Sequence, residues 1–266
     1  MTIVDARPFL AVGISLAAAI LISFSRRWPN LRETWSAIAS LGKFGIILSM
    51  LPGVLAGDVY TYTLCQLTDT VSFTLRTDPA GMIFAVLASM LWVPMNFYSI
   101  GYMRCNQERE QTGYFAAFAL CMSAVMGIAM AENLLTFFVF YELLTLASYP
   151  LVLHKRNQEA LSASRKYLVY TLISGQLFLV GIVAVYCIAG TISFTPGGFL
   201  NAGMAPRWAL QGIFVLMILA GSVKAAVMPL HGWLPAAMIA PTPVSALLHA
   251  VAVVKTGVFS VLRIIG

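Results

Sequence analysis

The sequence predicts an all-α polytopic membrane protein of about eight transmembrane helices. Two observations carry that expectation. Of 266 residues, 60% are hydrophobic and 10% charged, with a mean hydropathy of +0.86. Soluble domains run at about 45–50% apolar and about 25% charged, so a soluble globule of this size could not hide this much apolar surface. The apolar residues are also gathered into runs of about 20, the length that crosses a bilayer core. The same numbers exclude a disordered chain.

The spans follow in order. Pro8 to Ser25 is uncharged and stops at Arg26 and Arg27. The opening MTIVDARPFL puts an acid before its one basic residue, and no small-residue cleavage site follows the run, so it reads as a retained first span. Thr34 to Gly57 is apolar apart from Lys43, and Pro79 to Met103 is uncharged. Gly113 to Ala131 is the fourth span. Asn133 to Leu153, broken by Glu142, is the fifth, and Tyr167 to about Gly190 the sixth. Trp208 to about Leu230 holds Lys224, and Val244 to Ile265 holds His249 and Lys255. Between spans two and three, Val71-Ser-Phe-Thr-Leu75 alternates as a short surface strand would. Thr191 to Pro206, rich in Gly and Pro, reads as an outside loop.

The net charge of +6 points to orientation rather than to a nucleic-acid partner. With the N-terminus outside, the inner loops carry Arg26, Arg27, Arg32, Arg104, Arg109, Lys155, Arg156, Arg165 and Lys166, and the outer segments only Arg7, Arg76, Arg207 and Arg263. Basic residues collect on the cytoplasmic side, so both termini are expected outside. Cys65, Cys105, Cys121 and Cys187 are scattered without a CxxC pair, which speaks against an iron–sulfur cluster or zinc site. His154 falls in a basic loop, so paired haem ligands on helices are not available, and no Gly-rich phosphate motif occurs. No cofactor, metal or nucleotide is expected on this chain.

A charge in hydrocarbon costs at least ~2.5–3.5 kcal/mol and marks a pathway or a buried pair by default. Glu142 lies mid-span with no basic residue within reach on its own helix. It reads as a proton or cation site paired with a lysine on another span, or as a buried structural carboxylate. Lys224 precedes Pro229 by five residues. Pro229 cannot donate to the carbonyl of Ala225, and its ring crowds that turn. Such a break survives in a membrane only when buried or lining a wet cavity. Snorkelling is the alternative for Lys224. His249 and Lys255 are six residues apart, about 9 Å of rise and about 120° of turn; both could reach a hydrated channel, and a hydrogen-bonded core histidine is the alternative for His249. Lys43, nine residues past Thr34, reads as snorkelling to the inner surface. Glu132, at the outer start of span five, reads as structural, suited to the helix dipole.

The run KAAVMPLHGWLPAAMIAPTPVSALLHAVAVVKTGVF, Lys224 to Phe259, resembles the signature of the antiporter-like membrane subunits of the complex I superfamily. These are the large pumping subunits of NADH–quinone oxidoreductase, the large subunits of Mrp-type cation/proton antiporters and the antiporter-like subunits of membrane-bound hydrogenases. YSIGYM, Tyr98 to Met103, and ENLLTFFVFYELLTLASYPL, Glu132 to Leu151, match as well. The resemblance implies that Glu142 is the span-five glutamate paired with Lys224. It implies that His249 and Lys255 pass protons toward the bundle centre, and that Pro229 marks a broken seventh helix. It divides the chain into N-terminal spans, residues 1–112, and a first five-helix antiporter repeat, residues 113–266. Family members have about fourteen spans in two inverted repeats, so the resemblance implies a second repeat elsewhere, on a longer chain or on a partner.

The function so implied is proton or cation translocation by a membrane subunit of a complex I-type respiratory complex, through a Glu/Lys/His relay and among other membrane subunits in the cell (inner) membrane. A carboxylate beside a lysine holds the lysine's proton; separating the two frees it toward Lys255 or His249. A subunit of a Mrp-type Na+/H+ antiporter and a non-conducting structural half-module are the alternatives.

Overall fold

A computed structural model describes residues 2–68, 71–195, 198, 200 and 203–265. Among them are eight helical segments long and apolar enough to cross a membrane. Two helices open the chain, α1 (Arg7–Phe24) and α2 (Pro29–Leu55). Each has proline in its first turn, where the missing N–H has no intrahelical partner to lose. Next come α3 (Pro79–Cys105), α4 (Gln111–Ala129), α5 (Leu134–Val152) and α6 (Gln158–Ala189). Three of these starts carry side-chain caps. Asp78 accepts from the Gly81 N–H at 2.7 Å, Asn133 from Thr136 at 2.8 Å and Asn157 from Ala160 at 2.7 Å. The Asn157 cap explains why α6 begins well before Tyr167. Arg165 and Lys166 ride on helix that continues beyond the apolar run, not on a loop.

The seventh span is shorter than its apolar run. Here α7 (Arg207–Lys224) stops at the lysine, and the chain turns through Ala226 at φ +55° and a cis Met228–Pro229 peptide. A 3₁₀ turn, Leu230–Gly232, then leads into a short α8 (Trp233–Ala237). The eighth span is α9 (Thr242–Ala246), a π turn at Leu247–Val251 and α10 (Val253–Ile265).

The short strand read from the alternation belongs to a three-stranded sheet. Its order is β1 (Thr2–Val4), β2 (Val59–Gln66), β3 (Ser72–Arg76), the first pair parallel and the second antiparallel. It closes the end of the bundle where α1 and α3 begin, and bridges from Leu75 to Ala131 and from Asn133 to Ser193 tie it to the neighbouring loops. This is the sheet end of the bundle. The Thr191–Pro206 segment lies here, with residues 196, 197, 199, 201 and 202 outside those described.

Helix α4 is the centre of the bundle, buried nearly all round and packed against α1, α2, α3 and α5. It reads hydrophobic on every face, as an enclosed helix does. The outer helices turn large apolar side chains such as Ile83, Leu146, Ile173 and Val183 outward, as lipid contact requires.

Lys43 corrects the snorkelling expectation. Its side chain is fully buried, its Nζ donates to the Met122 carbonyl at 2.8 Å, and it lies 4.9 Å from the centre of the Trp92 ring. The face of α2 that carries it packs on α3 and α4, so the ammonium points into protein.

Candidate functional site

The site is built where α7 breaks. Lys224 is the last residue of α7 and fully buried. Its Nζ donates to the Tyr141 carbonyl of α5 and sits 3.2 Å from the centre of the Tyr141 ring. An ammonium over an aromatic face gains from the ring quadrupole, most when water is excluded. The Tyr141 hydroxyl lies 3.1 Å from Ser174 Oγ, and the two share the Ala220 carbonyl as acceptor, at 3.2 Å and 2.7 Å. One tyrosine thus links α5, α6 and α7.

Glu142 follows Tyr141 and leans on α6 at Gly175. A Cβ at Gly175 would stand 2.6 Å from Glu142 Cδ and nearer still to Oε1. The absence of a side chain there is what gives the carboxylate its place. Glu142 Oε1 is buried with no hydrogen-bond partner among the described residues. No ion pair within 4.0 Å joins Glu142 to Lys224 among the described residues; the lysine takes the carbonyl of the preceding residue instead, and the two charges face each other only at electrostatic range.

The break is braced from below. The Trp233 indole N–H donates at 2.8 Å to Val223 O, in the last turn of α7, a carbonyl that also accepts from the Ala226 N–H at 3.1 Å. Its ring packs on Tyr167, whose hydroxyl is 2.6 Å from Ser148 Oγ. Gly257 of α10 lies so close to the α7 terminus that a Cβ would stand 2.5 Å from Lys224 C and 2.6 Å from Ala225 Cα. Five residues after Lys224, Pro229 sits in the non-helical turn, as its missing N–H demands.

Of the other expected relay residues, His249 lies in the π turn, half-buried, with Nε2 lacking a partner among the described residues. Lys255 is exposed on the face of α10 that also presents Val258 and Leu262, away from Thr256 and Ser260, which pack inward. The structure therefore brings Glu142 and Lys224 together and leaves Lys255 on the outside of this bundle. Glu132 precedes α5, with its backbone tied to Thr74 and Phe194. Sequence reading missed Tyr141, Ser174, Gly175 and Trp233; a glycine inside a long apolar helix was the available signal for Gly175. A cavity of about 640 Å³ opens at the sheet end beside the Arg263–Asp78 ion pair, and its lining includes none of the four relay candidates.

The sequence profile described as "NADH:quinone oxidoreductase/Mrp antiporter, TM" matches residues 131–266. The NADH-quinone oxidoreductase subunit L of Mycobacterium tuberculosis is 32% identical over 96% of this chain and 41% of its own length. A "Probable K(+)/H(+) antiporter" subunit of Rhizobium meliloti is 33% identical over 86% of this chain and 23% of its own. An archaeal membrane-bound sulfane sulfur reductase complex contains a chain of the same fold, with TM-score 0.87 at 22% identity, covering 98% of this chain and 53% of that one. This chain spans about two fifths of the length of the NADH-quinone oxidoreductase relative.

Proposed function

This chain belongs to the NADH:quinone oxidoreductase/Mrp antiporter transmembrane family, and from that premise we propose that it translocates protons as a membrane subunit of a complex I-type respiratory complex. Residues 113–266 act as the first antiporter repeat and residues 1–112 as the N-terminal spans. Both termini lie outside, on the basic-residue bias of the loops. Any redox centre that drives the process sits on other subunits.

The observation that supports this reading is the environment of Lys224. A wholly buried lysine ends a helix broken in mid-span, its partners a carbonyl and a ring, with a carboxylate on the residue that follows that carbonyl. Neither charge is locked into a close ion pair, and Glu142 Oε1 keeps an open acceptor site. A fully paired bridge would resist proton exchange; a lysine held by a neutral acceptor can lose its proton, and the nearby carboxylate sets when it does. His249, with an open ring nitrogen, is the next acceptor along the eighth span. Lys255 then hands the proton to groups outside this bundle.

The test is proton uptake into vesicles holding the assembled complex. Glu142→Gln and Lys224→Ala assemble and abolish uptake under the proposal. Wild-type uptake by either variant refutes it, and leaves a structural half-module. The similarity to the Rhizobium meliloti relative favours a second reading, a monovalent cation/proton antiporter. It predicts that a sodium or potassium gradient alone drives proton movement through the same two residues.

A further inference from the structure

A second set of buried polar side chains lies in spans one to four, apart from the Glu142–Lys224 site. The buried stripe of α2 runs Glu33, Ser36, Ser40, Lys43, Ile47, Met50, Val54, at the three- and four-residue steps of one helix face. Its half away from the sheet is polar, and its half toward the sheet is apolar. The antiparallel stripe of α3 changes at the same depth. Ser99, Asn96, Trp92 and Ser89 are buried away from the sheet, and Ala88, Ala85, Phe84 and Met82 toward it. Ten residues of helix place Lys43 about 15 Å from Glu33, half the thickness of a hydrocarbon core of about 30 Å.

The two polar halves are joined. Ser36 Oγ donates to Asn96 Oδ1 at 2.6 Å, and Lys43 faces the Trp92 ring. At the mouth, Glu33 is held by Arg104 and Arg32, and Arg32 donates to Gln111 at 2.7 Å and Thr112 at 3.1 Å. Buried polar atoms along this line lack partners among the described residues: Arg32 Nε, Asn96 Nδ2, Trp92 Nε1 and, mid-span on α1, Ser15 Oγ. Buried groups of this kind are satisfied by internal water. The hydrogen-bond partner of Lys43 is the Met122 carbonyl, with no carboxylate within 4.0 Å among the described residues. The ionisable groups facing this region are Glu33 and Arg32 on α2, Arg104 on α3, and Tyr114 and Cys121 on α4; α1 brings none at this depth.

We propose that water enters from the end opposite the sheet along Ser36, Asn96 and Ser40 and exchanges protons with Lys43, which is a proton-holding site at mid-membrane. Hydronium protonates the amine and leaves water; the reverse step returns the proton to the same side. The apolar halves of both stripes seal the path toward the sheet. The inlet shares no residue with the Glu142–Lys224 site.

The test uses cyanate, whose conjugate acid is a small electrophile that carbamylates only a deprotonated, reachable amine. The full chain in its membrane complex is treated and digested, and each lysine is read by mass spectrometry. Lys43 is carbamylated at a rate measurable beside exposed Lys155, and Ser40→Leu, which plugs the line, slows it by an order of magnitude while Lys155 is unchanged. Glu142→Gln leaves Lys43 carbamylation as in the wild type, so failure of this inlet is separable from failure of the relay. An unmodified Lys43 beside a fully modified Lys155 overturns the proposal, and so does equal modification in Ser40→Leu. Should Ser40→Leu fail to assemble, hydroxyl-radical labelling of the wild type decides. Trp92, whose N–H is open, must react faster than the equally buried Trp233, whose N–H is bonded to Val223; equal rates overturn the inlet.

Discussion

Gly175→Ala should disable the site without weakening the fold. The added Cβ would stand 2.6 Å from Glu142 Cδ, against 3.4 Å for ordinary contact. The obstacle is the end of a side chain, so the carboxylate yields rather than the helix, by roughly 1 Å, and displacements of that size cost on the order of 10²-fold in rate when geometry governs a transfer. Stability should hold, because alanine is favoured over glycine inside a helix by about 0.8–1.0 kcal/mol. Vesicle proton uptake reads the first effect, and the thermal midpoint of the purified complex reads the second. Glu142→Asp supplies the internal check. It withdraws the carboxylate by one C–C bond, about 1.5 Å, and in the double variant should recover part of what Gly175→Ala removes, a coupling that independent defects do not show. Wild-type uptake by Gly175→Ala refutes the claim that α6 positions the carboxylate. Simple additivity in the double variant does the same.

Lys224→Arg should assemble yet fail to pump, since arginine keeps the charge but is not deprotonated in a protein; normal vesicle uptake would reduce Lys224 to an electrostatic anchor. Gly257→Ala should lower the thermal midpoint, because the new methyl meets backbone at Lys224 and Ala225 and overpacking costs about 1–3 kcal/mol; an unchanged midpoint would mean that α10 and α7 part freely. His154, in the α5–α6 turn, is pushed below its usual value of 6.5 by burial, with the Glu108 carboxylate pulling the other way. The unfolded chain then binds the proton more readily, so stability present above pH 6.5 should fall as the pH drops through and below that value. Denaturation midpoints between pH 8 and pH 5 check this, and His154→Gln should flatten the curve; an equal slope in the variant would clear His154 of the effect.

Much of this protein was legible from residue order. Backbone groups in hydrocarbon must bond within their own segment, so a run such as Pro79 to Met103 leaves the chain no choice but a helix. The cost of an intramembrane charge singled out Glu142 and Lys224, and the missing N–H of Pro229 marked the break near Lys224. Those inferences need only one segment at a time.

What tertiary structure decided is which way each face turns. Lys43 and Lys255 are alike in sequence, each a lysine among apolar residues, yet packing encloses the first between α2, α3 and α4 and leaves the second outside. A lysine stem reaches far enough that depth along one helix does not settle its environment; the neighbouring helix does. The same holds for Glu142, whose partner was expected to be the Lys224 ammonium. The end of α7 at Lys224 and the open face of Gly175 leave the two side chains on different neighbours, a carbonyl for one and a glycine for the other. Hydropathy determines which eight segments are long and apolar enough to cross, because it is additive along the chain, whereas the contacts around Glu142 and Lys224 depend on pairs of segments brought together only by folding.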